Sequence, residues 1–155
     1  MKIGVSVEQA GVQRMLQRLG QRARDLSPVL REIGSSVVDE ARLGFKASTD
    51  PYGQPWKPLK AATIARRRKG SAKPLLDTGR LRNSIAWRLS GPASVDIGSN
   101  LAYAAIHQFG GMAGRGRKVA IPARPFIATS QRGLPRAYGE IIRDALARHF
   151  RGVGA

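Results

Sequence analysis

The stretch Leu81-Arg82-Asn83-Ser84-Ile85-Ala86-Trp87-Arg88-Leu89-Ser90-Gly91-Pro92-Ala93-Ser94-Val95-Asp96-Ile97 decides the fold. Leu81, Ile85, Trp87 and Leu89 fall on alternate positions with Arg82, Ser84 and Arg88 on the other side. Val95 and Ile97 resume the alternation after Gly91-Pro92. A period of two sends successive side chains to opposite faces of a strand, so the stretch predicts two antiparallel strands joined by a hairpin. A sheet that is apolar on one face has to be covered by another element.

The cover is predicted on both sides of the hairpin. From Glu8 onward, Val12, Met15, Leu16, Leu19, Ala23 and Leu26 recur at intervals of three and four, the stripe of an amphipathic helix with arginines opposite. Ser27 and Pro28 suit an N-cap and a first helical position, and Leu30, Ile33, Val37, Ala41 and Phe45 form a second stripe. Towards the C-terminus, residues 134–150 place Tyr138, Ile142, Ala145, Leu146 and Phe150 on one helical side, with Gly152 as a stop. Ahead of all these, Ile3, Val5 and Val7 alternate with Lys2, Gly4 and Ser6 as a short edge strand. The expected fold is α+β: a small antiparallel sheet packed against two N-terminal helices and a C-terminal helix, in one domain over residues 1–155.

Long loops complete the expectation, at about residues 46–60 and 110–118. Asp50-Pro51-Tyr52-Gly53 carries the residues a type I turn favours at its first, second and fourth positions. Residues 63–69 are expected as a short basic helix stopped at Gly70. Residues 119–128 are strand-like but hold Pro122 and Pro125, so they pair only at an edge or in part.

The chain has 155 residues, no cysteine, and 27 Lys+Arg against 10 Asp+Glu, a formal net charge of +17. Without cysteine, disulfides and the usual structural zinc sites drop out, leaving packing, hydrogen bonds and neighbouring subunits to hold the fold. A charge of this sign attracts nucleic acid or an acidic protein surface, and it also solvates a surface. No apolar run approaches the roughly 18 residues a membrane helix requires, so a soluble, cytoplasmic protein without membrane contact is expected.

The raw material for catalysis is thin. Two histidines and ten carboxylates, scattered singly, offer no nucleophile, base or metal set at recognisable spacing. His107 has no second histidine or carboxylate at helical or strand spacing and suits a structural hydrogen bond better than a metal or a substrate. Gly111-Met112-Ala113-Gly114-Arg115-Gly116-Arg117-Lys118 lacks the Lys-Ser or Lys-Thr of a phosphate loop and is expected as a flexible cationic loop. No enzyme, cofactor, metal or small-molecule substrate is expected.

Four short blocks stand out in fixed order. The first is Asp50-Pro51-Tyr52-Gly53-Gln54-Pro55-Trp56-Lys57-Pro58-Leu59, in which the two later prolines stiffen the backbone around Trp56. The second is Leu75-Leu76-Asp77-Thr78-Gly79-Arg80-Leu81, with Gly79 able to take a positive φ. The third is Tyr103-Ala104-Ala105-Ile106-His107-Gln108-Phe109-Gly110-Gly111, and the fourth Ile121-Pro122-Ala123-Arg124-Pro125-Phe126.

Together these blocks resemble the phage virion morphogenesis family, the group that includes the Mu-like tail completion proteins. The resemblance runs from Phe45 to Phe126. It implies a structural role in the virion, reached by assembly in the host cytoplasm. Small α+β subunits would there form a ring that finishes the tail or joins it to the head, in contact with other neck or tail proteins. On that reading Pro51, Tyr52, Trp56, Arg66, Arg67, Arg68, Arg115 and Arg117 are the expected partner contacts, the arginines facing acidic protein surfaces or DNA in a channel. Asp77, Thr78, Gly79, Tyr103, His107, Gln108, Phe109, Gly110, Arg124, Pro125 and Phe126 are the expected structural motif. The alternative is a basic nucleic-acid-binding protein with Tyr52, Trp56 or Trp87 stacking on bases.

Overall fold

A computed structural model describes residues 9–67 and 71–151. The edge strand expected at residues 2–7, Arg68, and the stops at Gly70 and Gly152 lie outside them.

Two helices come first, α1 (Gln9–Arg24) and α2 (Ser27–Ala47). Ser27, expected as the cap, is instead the first helical residue, and its N–H is taken by the Asp25 carboxylate at 3.0 Å. α2 is the central element: Val29, Ile33, Val37, Val38, Ala41 and Phe45 are all buried. α1 differs from expectation. Its apolar stripe stays largely outside the core, with Leu16 61% exposed, and it is tied to the C-terminal helix by the Arg22 guanidinium donating to the His149 carbonyl at 2.6 Å.

The hairpin of β1 (Ile85–Gly91) and β2 (Ser94–Ser99) is antiparallel, pairing Trp87 with Ile97 and Leu89 with Val95. Ile85, Trp87, Val95 and Ile97 turn towards the helices while Ala86, Arg88, Asp96 and Gly98 face solvent. This is the one-sided alternation of a half-covered antiparallel sheet. Leu81 does not belong to the strand. It lies in the single turn α4 (Arg80–Asn83), launched from Gly79 at φ 77°. The misreading has a simple cause: a spacing of four residues, Leu81 to Ile85, lines one face in either a strand or a helix.

The remaining elements are short. α3 (Ala61–Ala65) ends before Arg66, so Arg66 and Arg67 fall outside the helix expected over residues 63–69. α5 (Ala104–Phe109) occupies the third sequence block. Residues 110–118, expected as a loop, form part of a paired arm: β3 (Gly111–Ala113) pairs with β4 (Val119–Ile121) around a 3-10 turn at Arg115–Arg117. Gly114 (φ 77°) and Gly116 (φ 68°) provide the left-handed backbone that closes it. The β3–β4 pair is a second sheet, separate from β1–β2. Finally α6 (Arg136–Arg151) buries Tyr138 and Ala145. The architecture is α+β, as the sequence implies.

Two core clusters result. Phe45, Trp56, Leu81, Ile85, Ala104 and Phe126 form one; Val29, Ile33, Val37, Tyr138 and Ala145 form the other, and Ile97 packs against both. Burial pushes the Tyr138 hydroxyl up to about 12.

Gly34 on α2 lies directly under the hairpin, since a Cβ there would come 2.7 Å from the Trp87 ring. Helix propensity alone makes Gly34→Ala stabilising by about 1 kcal/mol. Overpacking against the indole reverses the sign, and a net loss of about 1–3 kcal/mol is expected in urea denaturation. An unchanged or raised midpoint would show that Trp87 does not seat on Gly34.

Candidate assembly interface

The first block folds back on α2. Ser48 takes a left-handed conformation (φ 61°) at the helix end, and the Trp56 amide then reaches the Ser48 carbonyl at 2.8 Å. Asp50 organises the turn. One carboxylate oxygen accepts the amides of Tyr52 and Gln54, each at 2.9 Å, and the other receives Arg132 at 2.7 Å. The expected type I turn forms, with the Gly53 amide on the Asp50 carbonyl at 3.0 Å. Arg132 also covers the Tyr52 ring, 3.9 Å from its centroid, and the Tyr52 hydroxyl donates to the Gly133 carbonyl at 2.8 Å.

Trp56 is a correction among the expected contacts. It is 6% exposed, packs edge-on against Phe45 at 5.3 Å, and donates its indole N–H to the Pro125 carbonyl at 2.8 Å. The stiff backbone delivers this side chain to the core and not to a partner. The outer side of the segment, Gly53, Gln54, Pro55, Lys57 and Pro58, remains exposed.

The third and fourth blocks close on the first through two polar side chains. The Gln108 carboxamide oxygen accepts the amides of Phe126 (2.9 Å) and Ile127 (3.2 Å), and its nitrogen donates to the Ile127 carbonyl at 2.7 Å. The buried Arg124 donates to the carbonyls of Lys57 (2.8 Å) and Pro58 (3.2 Å), while its own amide reaches the His107 carbonyl at 2.8 Å. Both groups serve backbone that has no strand partner, a use of side chains that buried polar backbone demands. Gln108, Arg124, Pro125 and Phe126 are thus brought together as a structural unit. Gly110 (φ 75°) is required there, because a Cβ would meet the Ala123 amide at 2.9 Å. Phe109 departs from its expected structural place: it is 68% exposed beside the arm, where Met112 and Val119 are exposed too.

Asp77, Thr78 and Gly79 line one side of a cleft of about 630 Å³, with Tyr103 and His107 on another. The buried Nδ1 of His107 has no hydrogen-bond partner among the described residues, so the structural hydrogen bond expected of it is not made there, and its ring meets Tyr103 edge-on at 6.0 Å. Burial first, and the Arg124 charge second, hold its imidazole below the ordinary value of 6.5. Among the described residues no group of histidines and carboxylates is placed to hold a metal ion.

Of the expected contact arginines, Arg66, Arg115 and Arg117 are exposed. Arg67 instead folds over its own loop, donating to the carbonyls of Ser71 (3.1 Å) and Lys73 (2.6 Å). Lys57 and Lys60, which also face the cleft, are not marked as contacts by the sequence. Their only signal was position inside or beside the motif blocks.

Fold and motif together define a small α+β structural component whose irregular segments are locked by side chains. The chain belongs to the phage virion morphogenesis family, whose profile matches residues 7–151, and its role is in structural assembly. It is 39% identical over 129 residues to the "Mu-like prophage FluMu G protein 2" of Haemophilus influenzae, covering 83% of this chain and 82% of that one. It is 28% identical over 153 residues to the "Putative capsid assembly protein G" of Escherichia phage Mu, covering 96% and 94%. An uncharacterized protein of Methanocaldococcus jannaschii is 29% identical over 122 residues, 73% of this chain and 84% of that one. No solved structure gives a significant match.

Removing the Gln108 side chain leaves two backbone amides and a carbonyl to find new partners. Gln108→Ala is expected to cost about 1–3 kcal/mol for each buried group left unpaired, read as a lowered urea midpoint. A loss under about 0.5 kcal/mol would mean water satisfies them without cost. For His107 the lowered folded value means the unfolded chain binds the proton first. Its contribution is present above 6.5 and is lost as pH falls through the folded value. His107→Gln is therefore expected to flatten the loss of stability on acidification, measured as denaturation midpoints above and below that pH.

Proposed function

We propose that this chain completes the tail of a phage particle or joins the tail to the head, as one copy in a ring about the particle axis. It is a virion component in this reading, assembled in the host cytoplasm, and acts without catalysis. The observation that carries the proposal is the near end-to-end likeness to the phage Mu protein named for capsid assembly, together with the first, third and fourth blocks folded into one clasped unit. A ring needs two different patches on each subunit, repeated head to tail until the rotation closes. Residues 111–118 of the arm and the outer side of residues 53–55, both largely exposed and both away from the cleft, are two such patches.

The nucleic-acid reading keeps the net charge in its favour but loses its stacking residues. Trp56 is core, Trp87 is seated on Gly34, and one face of Tyr52 is covered by Arg132.

The experiment is a nonsense mutation in the gene of an inducible phage, with lysates viewed by electron microscopy. Full-length tails and filled heads that fail to join, or tails that lack a finished end, are expected. Complementation by Arg115→Glu/Arg117→Glu is expected to restore particles poorly. Normal infectious virions from the nonsense mutant would overturn the proposal.

A further inference from the structure

The cleft between α3, α4, α5 and β4 gathers unneutralised positive charge. Lys57, Lys60, Arg67, Arg80 and Arg124 line it, against one carboxylate, Asp77. None of these cations has an ion-pair partner among the described residues; Arg67 and Arg124 have backbone carbonyls, which carry no net charge. Arg67 and Arg124 are close enough that each charge opposes the other, and His107 feels Arg124 in the same way. Cations left to converge in a partly enclosed space define a site complementary to an anion.

The walls narrow the choice of anion. Leu59, Leu75, Val119 and Ile121 make much of the lining apolar, and a volume of about 630 Å³ is a pocket for a few side chains, far narrower than a nucleic-acid duplex. Consecutive residues Val119, Ala120, Ile121 and Pro122 all border the cleft. A strand face would contribute only alternate residues, so the cleft lies along the edge of β4, and no further strand pairs there among the described residues. An open strand edge accepts an extended segment.

We propose that this cleft is a docking site for an extended, glutamate- or aspartate-bearing segment of another protein of the particle. A second copy of this chain is a poor occupant. Of its ten carboxylates, Glu32, Asp39, Asp50, Asp96 and Glu140 are already ion-paired, and the only adjacent acids, Asp39-Glu40, lie inside α2. The arm itself is basic at Arg115, Arg117 and Lys118. The inference rests on the assembly reading only in placing the partner in the particle; the binding chemistry belongs to the cleft.

The test uses the purified full chain and a fluorescent peptide of about eight residues alternating glutamate and valine, with blocked ends. Binding is followed by anisotropy. Lys60→Glu/Arg80→Glu is expected to weaken it by about tenfold or more, and Arg31→Glu/Arg143→Glu, the same charge change on exposed helix positions away from the cleft, by less than about twofold. Equal weakening by both double variants would reduce the effect to net charge and overturn the site. So would cleft-dependent binding of a duplex DNA oligonucleotide tighter than that of the peptide, or no peptide binding at low salt. Unjoined heads and tails in the nonsense mutant with no peptide binding would leave the assembly reading standing and remove the cleft, so the two fail separately.

Discussion

The three hydrogen bonds of the Gln108 carboxamide to Phe126 and Ile127 are the interaction on which the rest of the structure depends. Much of the chain between α2 and α6 is neither helix nor ladder, yet it passes through the core, and buried backbone polar groups there need partners that secondary structure does not provide. Gln108 and Arg124 stand in for a strand. By fixing residues 124–127 they set Phe126 against Phe45 at 5.5 Å and present the Pro125 carbonyl to Trp56. The aromatic cluster is dense because polar side chains hold its backbone still, and each group in such a network depends on the others being satisfied.

The same logic explains how Asp50 works at the other end of the unit. Its carboxylate is buried on a turn, a costly location for a charge unless it is paired and hydrogen-bonded. Two amides and Arg132 meet that requirement, and Arg132 in turn sits over the Tyr52 ring. The turn at residues 50–53 is thereby fastened to the segment just ahead of α6. A locally coded turn becomes a long-range tie, which lets the exposed side of residues 53–58 keep a fixed shape.

What was legible in the sequence follows from range. α2, the β1–β2 hairpin, α6 and the type I turn are written in local periodicity or turn chemistry, so a window of a few residues suffices. β4 was legible as a strand able to pair only in part, while β3 escaped because three residues are too few to show alternation and the glycines around it read equally as slack. α5 escaped because Ala104-Ala105-Ile106-His107-Gln108-Phe109 has too few apolar positions to reveal a period, and its buried Gln108 is recognisable only beside residues 126–127. The Asp50–Arg132 pair spans 82 positions and leaves no local trace. α1 shows the converse: its stripe is real in sequence, but periodicity says which side is apolar and not whether anything in the same chain covers it.

The net charge of +17 acquires a meaning only when it is located. Half of the carboxylates are paired to arginines on α2, the β1–β2 hairpin, the turn and α6, whereas the arm and the cleft beside β4 hold Arg115, Arg117, Lys118, Lys57, Lys60, Arg67, Arg80 and Arg124 against the single carboxylate Asp77. There the fold works against itself: burial and the neighbouring Arg67 both disfavour the Arg124 charge, yet Arg124 must stay to hold Lys57 and Pro58. A structural arginine therefore holds like charges together at a surface, and an acidic occupant would relieve that repulsion. Because an occupant that binds only the folded chain stabilises it by mass action, anything bound in the cleft would act on the clasp that completes the core, since both share the Arg124 guanidinium.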